Sequence, residues 1–209
     1  MTTAAEIRES LFDVEELQRL CQSLAALDAI LCPEWEYRYF SFNTEWAPGE
    51  KLASMRNGEG DDWLVFWNAH GALLKGFVHD APMAEGCPWP GVLDQVPEEF
   101  QGFLDDHAFS RQTTFCLWRR PRDPGWCSGD VAYPDHPDPD GSSLLRFLDG
   151  NPETYRRWGE EYFGTRIDPR AVEHVYRHDP LSPFVVRALN REATIEELRD
   201  ELEQIGYPA

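Results

Sequence analysis

Between Glu34 and Asp80 the chain stops reading like a helix and starts reading like a sheet. EWEYRYFSFNTEW is followed by GEKLASMRNGEGDDWLVFWNAHGALLKGFVHD, and the stretch holds four of the eight Trp. Trp35, Tyr37 and Tyr39 alternate with Glu36 and Arg38, which predicts a strand with one buried face. That reading puts Trp35 in the core with Trp63, Trp67 and Trp118. Phe40 and Phe42 fall on the opposite parity and imply a bulge or cover on both faces. Pro48-Gly49 predicts a turn, Lys51 to Arg56 a second strand, and Asn57-Gly58 with Gly60 the next turn. Trp63 to Trp67 is a nearly continuous apolar run and is expected at the sheet centre. Asn68 to Gly71 closes a hairpin onto Ala72 to His79, where Gly76 marks a bulge or a close backbone approach. Thr113 to Arg119 supplies a fifth strand.

Helical patterns flank this core. Asp13 is placed to cap a helix from Val14, with Glu15 and Glu16 in its first turn. Val14, Leu17, Leu20, Cys21, Leu24, Leu27 and Leu31 form an apolar stripe that Pro33 ends. PEEFQGFLDD predicts a helix with Pro97 near its first turn, and residues 143–148 a short one. Asn151, Asp168, Ser182 and Thr194 precede four more, with Thr194 and Glu197 as a capping box and Gly206 as the stop. VAYPDHPDPDGSS is the linker candidate. The expected fold class is α+β: an antiparallel sheet of about five strands, an N-terminal helix packed on it, and a C-terminal helical section. Residues 1–130 form the sheet domain, and 131–209 the helical section packed on it.

Charge narrows the function. Asp and Glu number 38 against 19 Lys and Arg, a formal charge of −19. Phosphate backbones and anionic membranes are disfavoured partners. A basic protein is the expected one, its encounter speeded by an acidic face; a purely solubilising surface is the alternative. No apolar run approaches the ~18 residues of a membrane span. MTTAAEIRES lacks the parts of a signal peptide. Five cysteines form no CxxC pair, so a cytoplasmic location with reduced thiols is expected.

Several constellations are candidates for chemistry. HPDPDG at 136–141 resembles the start of a calcium loop but has His136 at position one and Phe147 at position twelve; it reads as a solvated acidic loop. His174 and His178 stand four apart on a predicted helix, a spacing a metal can use, with no third ligand evident. Neither a metal nor a cofactor is expected. Cys87 and Cys127, with His79 or His107, are a candidate nucleophile pair or zinc site. Asp61-Asp62 and His79-Asp80 are placed to converge at one end of the sheet. GxSxG, the P-loop, GxGxxG and HExxH are absent.

Trp46, Trp89 and Trp126 lie beside Pro or Gly in predicted loops, where they either anchor a binding surface as exposed Trp or cap the ends of the sheet core. Arg119, Arg120 and Arg122 line the same rim, placed to contact an anion or to pair with the acids of 80–110. The candidate binding residues are therefore Trp46, Trp89, Trp126, His79, Asp80, Arg119 and Arg120.

FNTEWAPGEKLASMRNGEGDDWLVFWNAHGALLKGFVHDAPM, with TTFCLWR and the terminal GYP, resembles a group of bacterial hypothetical proteins, which carries no catalytic residue across. VPEEFQGFLDD is similar to the proline–acid–aromatic helix start of SUKH-type immunity proteins, and stands here after the hairpin strands. That resemblance implies an acidic, partner-neutralising role. Three functions are expected from these readings: a partner-binding module of immunity type, an enzyme with a small-molecule site at the sheet end drawing on His79, Asp80, Cys87, Arg119 and Trp126, or a structural domain.

Overall fold

A computed structural model of the chain describes residues 1–106 and 112–209; His107, one of the candidate ligands, lies outside them. A short helix α1 (Ala4–Ile7) leads into α2 (Val14–Leu31). Then come β1 (Phe40–Ala47), β2 (Glu50–Arg56), β3 (Asp62–Asn68) and β4 (Gly71–Phe77), a short α3 (Gln101–Leu104), β5 (Phe115–Arg119) and β6 (Cys127–Ser128). The chain ends in α4 (Pro152–Tyr162), α5 (Pro169–Tyr176), α6 (Pro183–Leu189) and α7 (Ile195–Ile205). The strands form one antiparallel meander in the order β1-β2-β3-β4-β5-β6, so the class is α+β. The two-residue β6, against Leu117 and Trp118, is too short for its residues to show a period.

The sheet's first face carries Phe40, Phe42, Met55, Trp63, Val65, Trp67, Leu74, Phe115 and Leu117. α2 packs there. Asp13 Oδ1 accepts from the amides of Glu15 and Glu16 and opens the helix. Every residue from Leu20 to Ile30 is buried, Ser23 and three Ala included. An amphipathic stripe predicts burial on one side only. The second side is covered because α5, α6 and α7 pack over α2, and the small residues let them approach closely. The same apolar cluster takes in Tyr155, Val172, Val186 and Leu202.

Part of the expected first strand is something else. Trp35–Tyr37 is a 3-10 turn, and Trp35 and Tyr37 are both 55% exposed. Trp35 is thus not a core residue. Its neighbourhood is pinned by other partners: Arg38 donates to the carbonyls of Cys32 and Pro33, and Asp28 Oδ2 accepts the amides of Tyr39 and Phe40. With those amides taken, the ladder starts at Phe40.

The second face is covered over its β3–β5 half by the segment after β4. Met83, Val92, Val96, Phe100 and Phe103 bury Leu73, Phe66, Cys116 and Trp118. The helix expected over PEEFQGFLDD is a 3-10 turn (Glu98–Phe100) running into α3. Pro97 precedes rather than enters it. The HPDPDG loop is not solvated throughout. Asp140 is fully buried and accepts the amides of Ala4 and Ser142, while Pro137 accepts from Thr2, so the loop binds the N-terminus.

Candidate functional site

The β1–β2 half of the second face has little apolar surface to cover. Ser41 and Asn43 of β1, Ser54 and Arg56 of β2, Asp62 of β3 and Lys75 of β4 point to that side. They line, with Leu64, a groove of about 470 Å³ that extends round the β1 edge to α7. Ser41 and Ser54 are cross-strand partners with hydroxyl oxygens 2.7 Å apart. Burial lowers the Lys75 pKa against the opposing pull of the Asp62 carboxylate. Burial raises that of Asp62, countered by Lys75 and then Arg56.

Two tryptophans stand at the ends of β1 on this groove. Trp35 covers Arg56 at the Phe40 end, the guanidinium 4.7 Å from the ring centroid, a cation–π contact. Trp46, 40% exposed, stands near the Ala47 end. Between them the rim is the Arg38–Glu201 ion pair, a fork whose second arm, Nη2–Oε2, is 3.2 Å. Beyond Asn43 and Gln204 a smaller hollow of about 310 Å³ is lined by Glu45, Asp200 and Glu203. The result is an aromatic-ended, hydrogen-bonding groove with carboxylates along one margin.

No protein-family model, curated protein or solved structure matches this chain.

The sequence-derived candidates divide over the molecule. Trp46 lines the groove. Trp89 is half-buried, its indole donating to the Ala132 carbonyl across 3.2 Å. Trp126 is 5% exposed and donates to the Phe12 carbonyl across 2.7 Å, so it is a packing residue and not an exposed anchor. His79 and Asp80 follow the Phe77 end of β4. There Asp61 Oδ1 accepts from the His79 amide and its Nδ1, and Asp80 Oδ2 lies 3.3 Å from Nε2. Hydrogen bonding to Asp61 raises the His79 pKa. Arg119 pairs with Ala72 at the opposite end of β4, and Arg120 is held by Asp123. The constellation of His79, Asp80, Arg119 and Trp126 is therefore split between the two ends of the sheet. Arg120 pairs with Asp123 of its own turn, and Glu99 of the 80–110 segment acts on it more weakly.

Cys87 donates to the carbonyls of Met83 and Thr113, while Cys127 lies on β6. His174 and His178 do not share a helical face. α5 ends at Tyr176, His178 has φ +59° and packs its ring on Tyr207, and His174 Nε2 donates to the Pro180 carbonyl. Among the described residues no group of three or more His, Cys, Asp or Glu is arranged to hold a metal ion. Sequence reasoning missed Trp35, Arg56 and Lys75 as groove residues. Their signal was the polar parity of the strands: Ser41/Asn43, Ser54/Arg56, and a lone Lys75 within ALLKGF.

Proposed function

We propose that this chain is an acidic, cytoplasmic protein-binding module of immunity type, and that a basic partner seats on the groove between Trp35 and Trp46. The observation that carries the reading is this pair of exposed tryptophans at the two ends of one groove. Trp is among the residues enriched at the anchor positions of protein interfaces. Glu45, Asp200 and Glu203 beside it, within a total charge of −19, favour cationic side chains and speed their approach. Inside the groove Glu201 is engaged by Arg38 and Asp62 faces Lys75 and Arg56, so the margin carboxylates supply the attraction. The cysteines Cys21, Cys32, Cys87, Cys116 and Cys127 are free thiols, which suits a reducing compartment. Among the described residues no helix is long and apolar enough to cross a membrane.

Capture at low salt from a lysate of the source cells tests the proposal. Wild-type protein should retain a basic protein that added salt releases. A W35A/W46A variant with an unchanged circular dichroism spectrum should lose it, by about 100-fold or more in affinity for two anchor residues. Undiminished retention by the variant, or no basic protein retained by the wild type, rejects the reading.

A further inference from the structure

At the Gly71 end of the sheet, across from the tryptophan groove, the segment after α1, the end of β5 and the turn into β6 enclose an open cleft of about 700 Å³. Its polar wall is Arg8, Arg119, Arg120 and Ser128, and Glu9 is the acid in that wall. Leu11, Pro124 and Trp126 give it an apolar side. Guanidiniums from two segments, Arg8 after α1 and Arg119-Arg120 at the end of β5, line this cleft on a protein with twice as many acids as Lys and Arg. Two of them are already positioned. Arg8 Nη1 donates to Ser128 Oγ across 2.7 Å. Arg120 is clamped by Asp123, which accepts from its amide, Nε and Nη2 at 2.9, 3.2 and 3.1 Å. The third, Arg119, is half-buried, with Asp123 within electrostatic reach of it.

We infer that this cleft binds a small-molecule phosphate monoester, with the phosphate between Arg8 and Arg119 and the organic part along Leu11, Pro124 and the edge of Trp126. A carboxylate presents two oxygens in one plane and is satisfied by a single arginine fork. A phosphate has three terminal oxygens and accepts forks arriving from different segments, which is the arrangement found. The cleft is several times larger than a phosphate ion, and its apolar side offers an organic group a surface to lie on. Nucleic acid fits poorly, because the total charge repels an extended polyanion while Arg8 and Arg119 offset one phosphate. The site is independent of the tryptophan groove.

Titration calorimetry of the full chain with phenyl phosphate, inorganic phosphate and benzoate tests the inference. Phenyl phosphate should bind saturably at millimolar concentration or below, inorganic phosphate more weakly, and benzoate not at all. Arg119→Gln should lower the affinity for phenyl phosphate by about tenfold or more at an unchanged melting temperature. If that variant is misfolded, Arg8→Gln provides the same comparison. Cys127 lines the cleft, so phenyl phosphate should also slow its alkylation by iodoacetamide, read by peptide mapping, while leaving Cys87 unaffected. The inference is overturned if phenyl phosphate shows no saturable binding up to roughly 10 mM. It is equally overturned if benzoate or inorganic phosphate binds as tightly, or if affinity and alkylation rate are the same in Arg119→Gln.

Discussion

Tyr155 donates its hydroxyl to Asp28 Oδ1 across 2.6 Å, joining residues 127 positions apart with both side chains fully buried. The other carboxylate oxygen accepts the amides of Tyr39 and Phe40 at 2.8 and 2.9 Å. One side chain of α2 therefore pins the start of β1 and the middle of α4 together. Burial nevertheless dominates and pushes the Asp28 pKa up to about 6, against the hydrogen bond from Tyr155 and those from Phe40 and Tyr39.

A pH dependence follows, with a definite sign. The folded-state pKa is raised above the ordinary 3.8, so the folded protein holds the proton more tightly. The contribution is full below pH 4 and is lost as pH rises through 6, amounting to about 3 kcal/mol for a shift of this size. Asp28→Asn keeps an acceptor for the two amides and offers its NH₂ to the Tyr155 oxygen. Urea unfolding at pH 4 and pH 7 should show the stability difference, wild type minus variant, falling by about that amount. A difference that stays flat with pH would mean that Asp28 titrates alike in both states.

Gly76 faces Phe115 across the β4–β5 ladder. A Cβ at Gly76 would stand 2.1 Å from the far end of the Phe115 ring, which is itself 2% exposed. Gly76→Ala should destabilise the fold by about 1–3 kcal/mol through overpacking. Phe115→Leu in the same chain should return part of that loss, although alone it is destabilising. Strictly additive effects in the double-mutant cycle would show that the two positions do not clash.

Asp140 anchors the N-terminus by accepting from the Ala4 amide at 2.9 Å while also holding Ser142. Asp140→Ala should leave two buried amides without an acceptor, at a cost of about 1–3 kcal/mol each. The loss should be local. Hydrogen exchange at residues 3–8 should quicken far more than in β3 or β4. Uniform acceleration over the whole chain would show that the docked N-terminus and the sheet unfold as one unit.

The elements were largely readable from short windows. Asp13, Asn151, Asp168, Ser182 and Thr194 each accept from a backbone amide two or three residues on, so nothing outside the window is needed to place them. The Asn57 and Asn68 turns and the parity of Trp63, Val65 and Trp67 are local in the same sense. Trp35 was misread because alternation over five residues says nothing about which partner takes the backbone amides. Asp28 takes those of Tyr39 and Phe40. Trp126 stayed open between an exposed anchor and a core cap because a Pro-Gly neighbour marks a loop without saying what it folds over, here Phe12.

The sequence alone determined a meander of strands between capped helices, in a shell dominated by carboxylates, because period, turn residues and caps act over two to four positions. Tertiary structure decided which half of the second sheet face stays open, which tryptophans edge it, and that Arg8 meets Arg119 from the far side of the chain. Those outcomes depend on groups far apart in the chain closing on one another, as Phe103 does on Phe66 and Arg38 on Glu201. No window of sequence holds both halves of such a contact.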